Sequence, residues 1–309
     1  SVVSEIPQAV IELAEKRKTA KAEKNYALSD SLREEIVELG WLVKDVATGY
    51  ELSQKPPFTQ LPRVSDLANA EKLPKAAATV GLLADGWADD LESCARGVLE
   101  NTAANLVILD LANVDQVGIQ AEKIKKEFPD RVTVFHVAQE LSQAGWATCH
   151  NSLINLVTSP IYLVMDLSTK TTGDFLTALI EKINLGFAAV GWKGALVDLS
   201  DNWRSVVDKG GGEVDVLMSY LLAVKTEIAR KIGPDEKAKF YRNADMEWSL
   251  MLRAEGHLLY AIDELPVSQA RHHGYHDSDE NYRESQSKKT YDRLLQKFRG
   301  KEPILSPRR

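Results

Sequence analysis

Apolar positions in this chain change their period along its length, and each change marks a different kind of element. Over residues 5–40, Ile6, Val10, Leu13 and Ala14, then Leu28, Leu32, Ile36 and Leu39, recur three or four apart. That spacing places side chains on one face of an α-helix, so two helices are predicted, the second stopped by Gly40. Trp41, Leu42 and Val43, followed across Thr48 and Gly49 by Tyr50 and Leu52, predict a small hairpin. Residues 54–75 carry Pro56, Pro57, Pro62 and Pro74 with few periodic apolar positions, and read as a linker. From Ala76 the pattern changes again. Short apolar runs at 79–83, 106–109, 132–135 and 161–165 alternate with helical patterns at 89–99, 117–127 and 143–156. This alternation predicts an α/β domain with a mostly parallel sheet covered by helices on both faces. The expected organisation is a small helical module with a hairpin at 1–53, a linker at 54–75 and an α/β domain at 76–309. The later part is more broken, with a loop at 208–212.

Composition narrows this picture only in part. With 309 residues, 44% of them hydrophobic, the chain can support two domains and a sizeable core. A formal net charge of -7 excludes a global attraction to nucleic acid or anionic membranes, while leaving room for a local basic patch. Cys94 and Cys149 are the only cysteines, which predicts no disulfide framework. No apolar run reaches the roughly 18 residues of a membrane span, and the first residues lack a signal-peptide pattern. The expected location is the cytoplasm.

The candidate chemistry is acidic and imidazole-rich. Asp85 and Asp110 follow predicted strands, where open α/β sheets leave a crevice for ligands. Asp166 and Ser168 follow the run 161–165. His150 and Asn151 lie in the helical pattern at 143–156, beside Cys149, which reads as a small buried thiol. Asp245 and Glu247 open an amphipathic helical pattern after Asn243, a plausible helix cap. His272 and His273 sit beside Gly274, Tyr275 and His276. Imidazole can ligate a divalent metal or donate to phosphate near neutral pH, and the cluster can equally be exposed loop polarity.

In this order the residues resemble a family 2 glycosyltransferase with a GT-A fold, over about 76–300. The resemblance implies an inverting transfer of a sugar from a UDP- or GDP-linked donor to an acceptor hydroxyl. It implies Asp85, Asp110, His150 and Asn151 near the nucleotide sugar, Asp245 as the base and Glu247 as its assistant. The family's strand ending in Asp-x-Asp holds Mg²⁺ or Mn²⁺ against the diphosphate; here that place is filled by Asp166, Leu167 and Ser168, so one carboxylate is replaced by a hydroxyl. The implied metal set is Asp166, Ser168, His272 and His273. The departure at Ser168 keeps a second expectation open, a degenerate relative that binds a nucleotide, RNA or protein without turnover. The tail from Arg283 through Lys288 and Tyr291 to Gly300 is also similar to the family, as a basic cover or, through Leu294, Leu295 and Phe298, as packing.

The first residues resemble a different family. Arg17, Lys21, Lys24, Asn25, Tyr26, Ser29, Asp30, Arg33, Gly40, Asp45, Gly49 and Tyr50 follow the pattern of the C-terminal domain of cysteinyl-tRNA synthetase. That resemblance implies a module contacting tRNA or a protein partner, with Lys16, Arg17, Lys18, Lys21 and Lys24 available to phosphates. The same cluster can be a solvated helix face, balanced by Glu34, Glu35 and Glu38.

Overall fold

The computed structural model describes residues 5–308, which form two compact units dividing at Phe58 and Thr59. In the first, α1 (Gln8–Ala22) and α2 (Tyr26–Glu38) pack against an antiparallel hairpin of β1 (Trp41–Val46) and β2 (Gly49–Gln54). Val10, Ala14, Ile36, Trp41 and Val43 form its core. Asn25 opens α2 by accepting the Leu28 N–H, and Gly40 takes the positive φ of 81° that leads into β1. Arg17, expected on a phosphate-facing surface, is instead buried: its guanidinium grips the Asp45 carboxylate at 2.8 and 3.1 Å, and Lys21 adds a contact at 2.5 Å. Those hydrogen bonds, the Arg17 one first, hold the Asp45 carboxyl well below its usual range.

The second unit begins earlier than the apolar pattern predicts. The proline-bearing stretch is not a linker beyond Phe58. Leu61 pairs with the edge strand of the large sheet, its N–H donating to the His136 carbonyl and its carbonyl accepting from Ala138. A 3-10 turn over Val64–Asn69 then buries Val64 and Leu67, and Leu73 follows.

The remaining elements, in chain order, are β3 (Thr79–Ala84), α3 (Ala88–Asn101), β4 (Asn105–Leu111), α4 (Val117–Glu127), β5 (Val132–Val137), α5 (Leu141–Ala144), α6 (Trp146–Leu156), β6 (Ile161–Met165), β7 (Thr169–Thr171), α7 (Leu176–Asn184), β8 (Ala189–Gly191), β9 (Gly194–Val197), β10 (Val206–Asp208), β11 (Gly212–Glu213), β12 (Val216–Leu217), β13 (Leu221–Lys225), α8 (Thr226–Lys231), α9 (Ala244–Ala254), β14 (Leu259–Ala261), β15 (Val267–Gln269), α10 (His273–His276) and α11 (Glu280–Phe298). An eight-stranded mixed sheet runs β11-β14-β8-β13-β6-β3-β4-β5. The pairs β3 with β4, β4 with β5, β3 with β6 and β8 with β14 are parallel; β13 runs antiparallel between β6 and β8.

Alternation along each strand decides which core it feeds. Leu106 and Ile108 of β4 join α3, α4 and α7 on one face, while Val107, Leu109 and Leu111 join α6 and α9 on the other. The helical pattern at 143–156 is broken in two by Gly145, whose φ of 92° ends α5 and starts α6. A side chain there would press on Lys239. Among the described residues no helix is long and apolar enough to cross a membrane.

Candidate functional site

The parallel pair β3 and β6 delivers two acidic residues side by side at the carboxyl edge of the sheet, Asp85 just past β3 and Asp166 just past β6. Short strands then bring in the histidines. β15 pairs antiparallel with β7, Gln269 opposite Thr169, and the Ala270 N–H continues the ladder to the Ser168 carbonyl. Two residues later, His272 Nε2 stands 3.1 Å from Asp166 Oδ2. The other Asp166 oxygen accepts both the Ser168 N–H, at 2.8 Å, and the Ser168 hydroxyl. Burial opposes ionisation of Asp166, but the His272 and Ser168 contacts outweigh it and hold the carboxyl below its usual range. Asp85 behaves oppositely: loss of solvent and the nearby Asp166 charge push it up to about 6.

These groups line a cavity of about 480 Å³. His150, Ser168, His273, Lys239 and Tyr241 also face it. His150 is buried, its Nδ1 2.8 Å from the Tyr162 hydroxyl; burial pulls it down to about 3, so it is neutral there. His273 stacks on Trp87 and holds Asp277 at 2.6 Å.

A second cavity, of about 530 Å³, adjoins the first, and Tyr241 and His272 face both. Asp245 lies in its wall at the first turn of α9. Ser219 donates to one Asp245 oxygen from both N–H and hydroxyl, and Met246 N–H donates to the other. Burial outweighs these bonds and raises the Asp245 carboxyl above its usual range. Tyr220, Tyr275, Arg242 and Arg271 complete the wall. The His272 ring is clasped between the Tyr241 face, 4.6 Å away and nearly parallel, and the Tyr220 edge.

Three sequence expectations fall outside both cavities. Asp110 is fully buried and spends its carboxylate on His136, at 2.8 Å, and on the Asn113 N–H. Asn151 latches the loop after α8, donating to the Pro234 carbonyl and to Glu236. Glu247 points to the opposite side of α9 from Asp245, since positions two apart on a helix diverge by about 200°. It is fully buried in an ion cluster with Arg293, at 2.8 and 2.5 Å, and Lys297, at 2.9 Å. The tail therefore packs through α11, with Leu294 and Phe298 buried. Conversely, Lys239, Tyr241, Ser219 and Trp87 line the cavities without being singled out by the sequence pattern. Phe240 and Tyr241 stand five and four residues before Asp245, and that nearness is the available signal for Tyr241.

No family model matches the chain. A search of curated proteins finds a cysteine–tRNA ligase of Chlamydia felis (strain Fe/C-56), 43% identical over 49 residues, which is 16% of this chain and 10% of that ligase. Among solved structures, the mannosyltransferase PcManGT from Pyrobaculum calidifontis, in complex with GDP-Man and Mn²⁺, aligns with a TM-score of 0.52 at 15% identity over 72% of this chain and 63% of its own. GalNAc-T7 with UDP, GalNAc and Mn²⁺ aligns with a TM-score of 0.56 at 14% identity, over 71% and 47%. The fold is GT-A. The chain thus spans a tenth of the ligase and about half to two thirds of the two transferases.

Proposed function

We propose that the second unit transfers a sugar from a UDP- or GDP-linked donor to an acceptor hydroxyl, with inversion at the anomeric carbon. The observation that carries this reading is the pair of adjoining cavities meeting at Tyr241 and His272, with Asp166 in one wall and Asp245 in the other. A donor in the first cavity presents its anomeric carbon at the junction. An acceptor in the second then attacks from the side opposite the leaving diphosphate. The acceptor oxygen forms its bond to the anomeric carbon as the carbon–oxygen bond to the diphosphate breaks. The acceptor proton passes to Asp245 and the bonding pair leaves with the nucleotide. A carboxylate with raised affinity for protons is a better base than an exposed one, and burial supplies this at Asp245. Asp85 and His150 line the donor cavity and contribute shape and polarity there.

Mn²⁺ is present in the two solved transferases, but a divalent cation is not part of this reading. Ser168 fills one oxygen of Asp166, and among the described residues no three His, Cys, Asp or Glu side chains are grouped to hold a metal. A second reading, nucleotide binding without transfer, is favoured by the same Ser168. Titration of UDP and GDP, followed by a nucleotide-release assay with a panel of their sugars, separates the two. Release that disappears in Asp245→Asn supports transfer; binding without release supports the second reading; absence of binding sinks both.

For the first unit the proposed role is contact with tRNA, supported by exposed Lys16, Lys18 and Lys24 and by Tyr26, which is 61% exposed and free to stack on a base. Filter binding of unfractionated tRNA tests it: an affinity that falls steeply with salt is expected, and no retention refutes it. A protein partner is the alternative.

A further inference from the structure

The ring of His272 is fixed in a way that decides its chemistry. It caps the short helix α10, its Nδ1 accepting the Tyr275 N–H at 3.1 Å. A ring nitrogen that accepts a hydrogen bond carries no proton, so the proton of the neutral ring sits on Nε2. Histidines that ligate metals are arranged the other way: the free nitrogen donates its N–H to a carboxylate or carbonyl, leaving the ligating nitrogen bare. Here Nδ1 faces a donor, which makes Nε2 the protonated nitrogen of the neutral ring.

That donor touches Asp166 without a well-formed hydrogen bond. His272 is 7% exposed, and Nε2 has no hydrogen-bond partner. Asp166 Oδ2 is 3.1 Å away, but out of line for a hydrogen bond. The stacked Tyr241 prevents the ring from swinging. It is a buried N–H without a hydrogen-bond partner, on a residue that lines both cavities. Beside it in the first cavity are the carboxylates of Asp166 and Asp85. Asp166 Oδ1 is occupied by two Ser168 donors, and position 168 offers a hydroxyl instead of a second carboxylate. Positive charge comes from Lys239, which lines the same cavity with its ammonium 3.2 Å from the Ala144 carbonyl.

Building on the nucleotide-sugar reading of this cavity, we propose that His272 is a fixed N–H donor to the diphosphate, not a ligand of a divalent cation, and that the chain holds its nucleotide without one. The hydrogen bond strengthens as negative charge develops on the leaving oxygen, which is the condition for a group to stabilise the transition state.

Two measurements on the whole chain test this. Long-range ¹H–¹⁵N correlation of the imidazoles is expected to show His272 protonated on Nε2 and bare on Nδ1. Titration of UDP and GDP in EDTA and again in Mn²⁺ is expected to give dissociation constants within about threefold of each other. His272→Gln, which returns an amide donor near the Nε2 place, is expected to bind nucleotide at least fivefold tighter than His272→Phe. Protonation on Nδ1, tightening of tenfold or more by Mn²⁺ with paramagnetic broadening of the His272 ring, or equal binding by the two variants overturns the proposal while leaving a nucleotide site in place. Binding of neither nucleotide in either condition overturns the nucleotide reading as well.

Discussion

At the residue scale, the two carboxylates that face the cavities and resist ionisation make opposite demands on the molecule. Asp245 must be ionised to accept a proton, and burial raises the pH at which it becomes so. Transfer is therefore expected to fall as pH drops through a value above the ordinary aspartate range. Asp245→Asn keeps size and polarity and removes the base; a loss of about a hundred- to ten-thousand-fold in turnover is expected, with nucleotide affinity unchanged. Asp85 carries no such duty, so its ionisation is a cost to the fold. Its folded value of about 6 lies above the unfolded one, so the native state binds more protons between the two. Stability falls as pH rises through that window and stays lower above it, by about 2–3 kcal/mol for a shift of this size. Asp85→Asn should melt higher than the parent at pH 7.5 and converge with it below about pH 4, where both side chains are neutral. Calorimetric melts at the two pH values check this, and equal melting at pH 7.5 removes the argument.

At the element scale, what the sequence revealed depends on how local the cause was. The parallel half of the sheet was legible because β3, β4, β5 and β6 are self-contained apolar runs, and 161–165 and 117–127 match their observed bounds. β13 was not, since nothing in Leu221–Lys225 tells a strand inserted antiparallel from one added in parallel. Gly81 is legible only in three dimensions: a Cβ there would stand 2.0 Å from the Tyr162 hydroxyl, so β3 needs glycine where β6 lays its ring across. Site residues followed the same rule. Asp166 and His272, which the structure brings to one cavity, are legible as candidates because strand ends and paired histidines are local signals. Asp110 and Glu247 lie outside both cavities, and the partners that bind them lie 26 and 46 residues away, on β5 and α11. Glu247 now predicts an element's behaviour. It joins α9 to α11 through Arg293 and Lys297, with Asp235 as a second anion at 2.6 Å from Lys297. Breaking a buried pair costs about 3–5 kcal/mol, and Asp235 remains to soften the loss. Glu247→Gln is expected to lower stability by about 2–4 kcal/mol and to speed amide exchange along α11, without weakening nucleotide binding by more than about twofold. An equal loss of nucleotide binding would return Glu247 to the site.

At the scale of the whole molecule, the boundary between the units makes a sharp prediction because prolines disguise it. The apolar pattern places the second domain at residue 76, whereas the folded unit starts at Thr59. Proline and the absence of periodicity are the marks of a linker, yet an irregular strap can be just as firmly held if its few apolar residues are buried one by one. Val64, Leu67 and Leu73 are each at most 5% exposed. At about 1.5–3 kcal/mol for each side chain, their removal costs roughly 5–9 kcal/mol. That equals much of the roughly 5–15 kcal/mol by which a domain is stable. The strap also satisfies groups of the sheet and α6: the Leu61 N–H binds the His136 carbonyl at 2.8 Å, and the Leu73 N–H binds the Leu156 carbonyl at 2.9 Å. A chain cut to 59–309 is therefore expected to melt cooperatively and to bind nucleotide as the full chain does. A chain cut to 76–309 uncovers part of the core that Val64, Leu67 and Leu73 share with β4 and α6, and is expected to be insoluble or to lose its cooperative transition. Melting of the two fragments within about 2 °C of each other would mean that the strap lies on the sheet without supporting it.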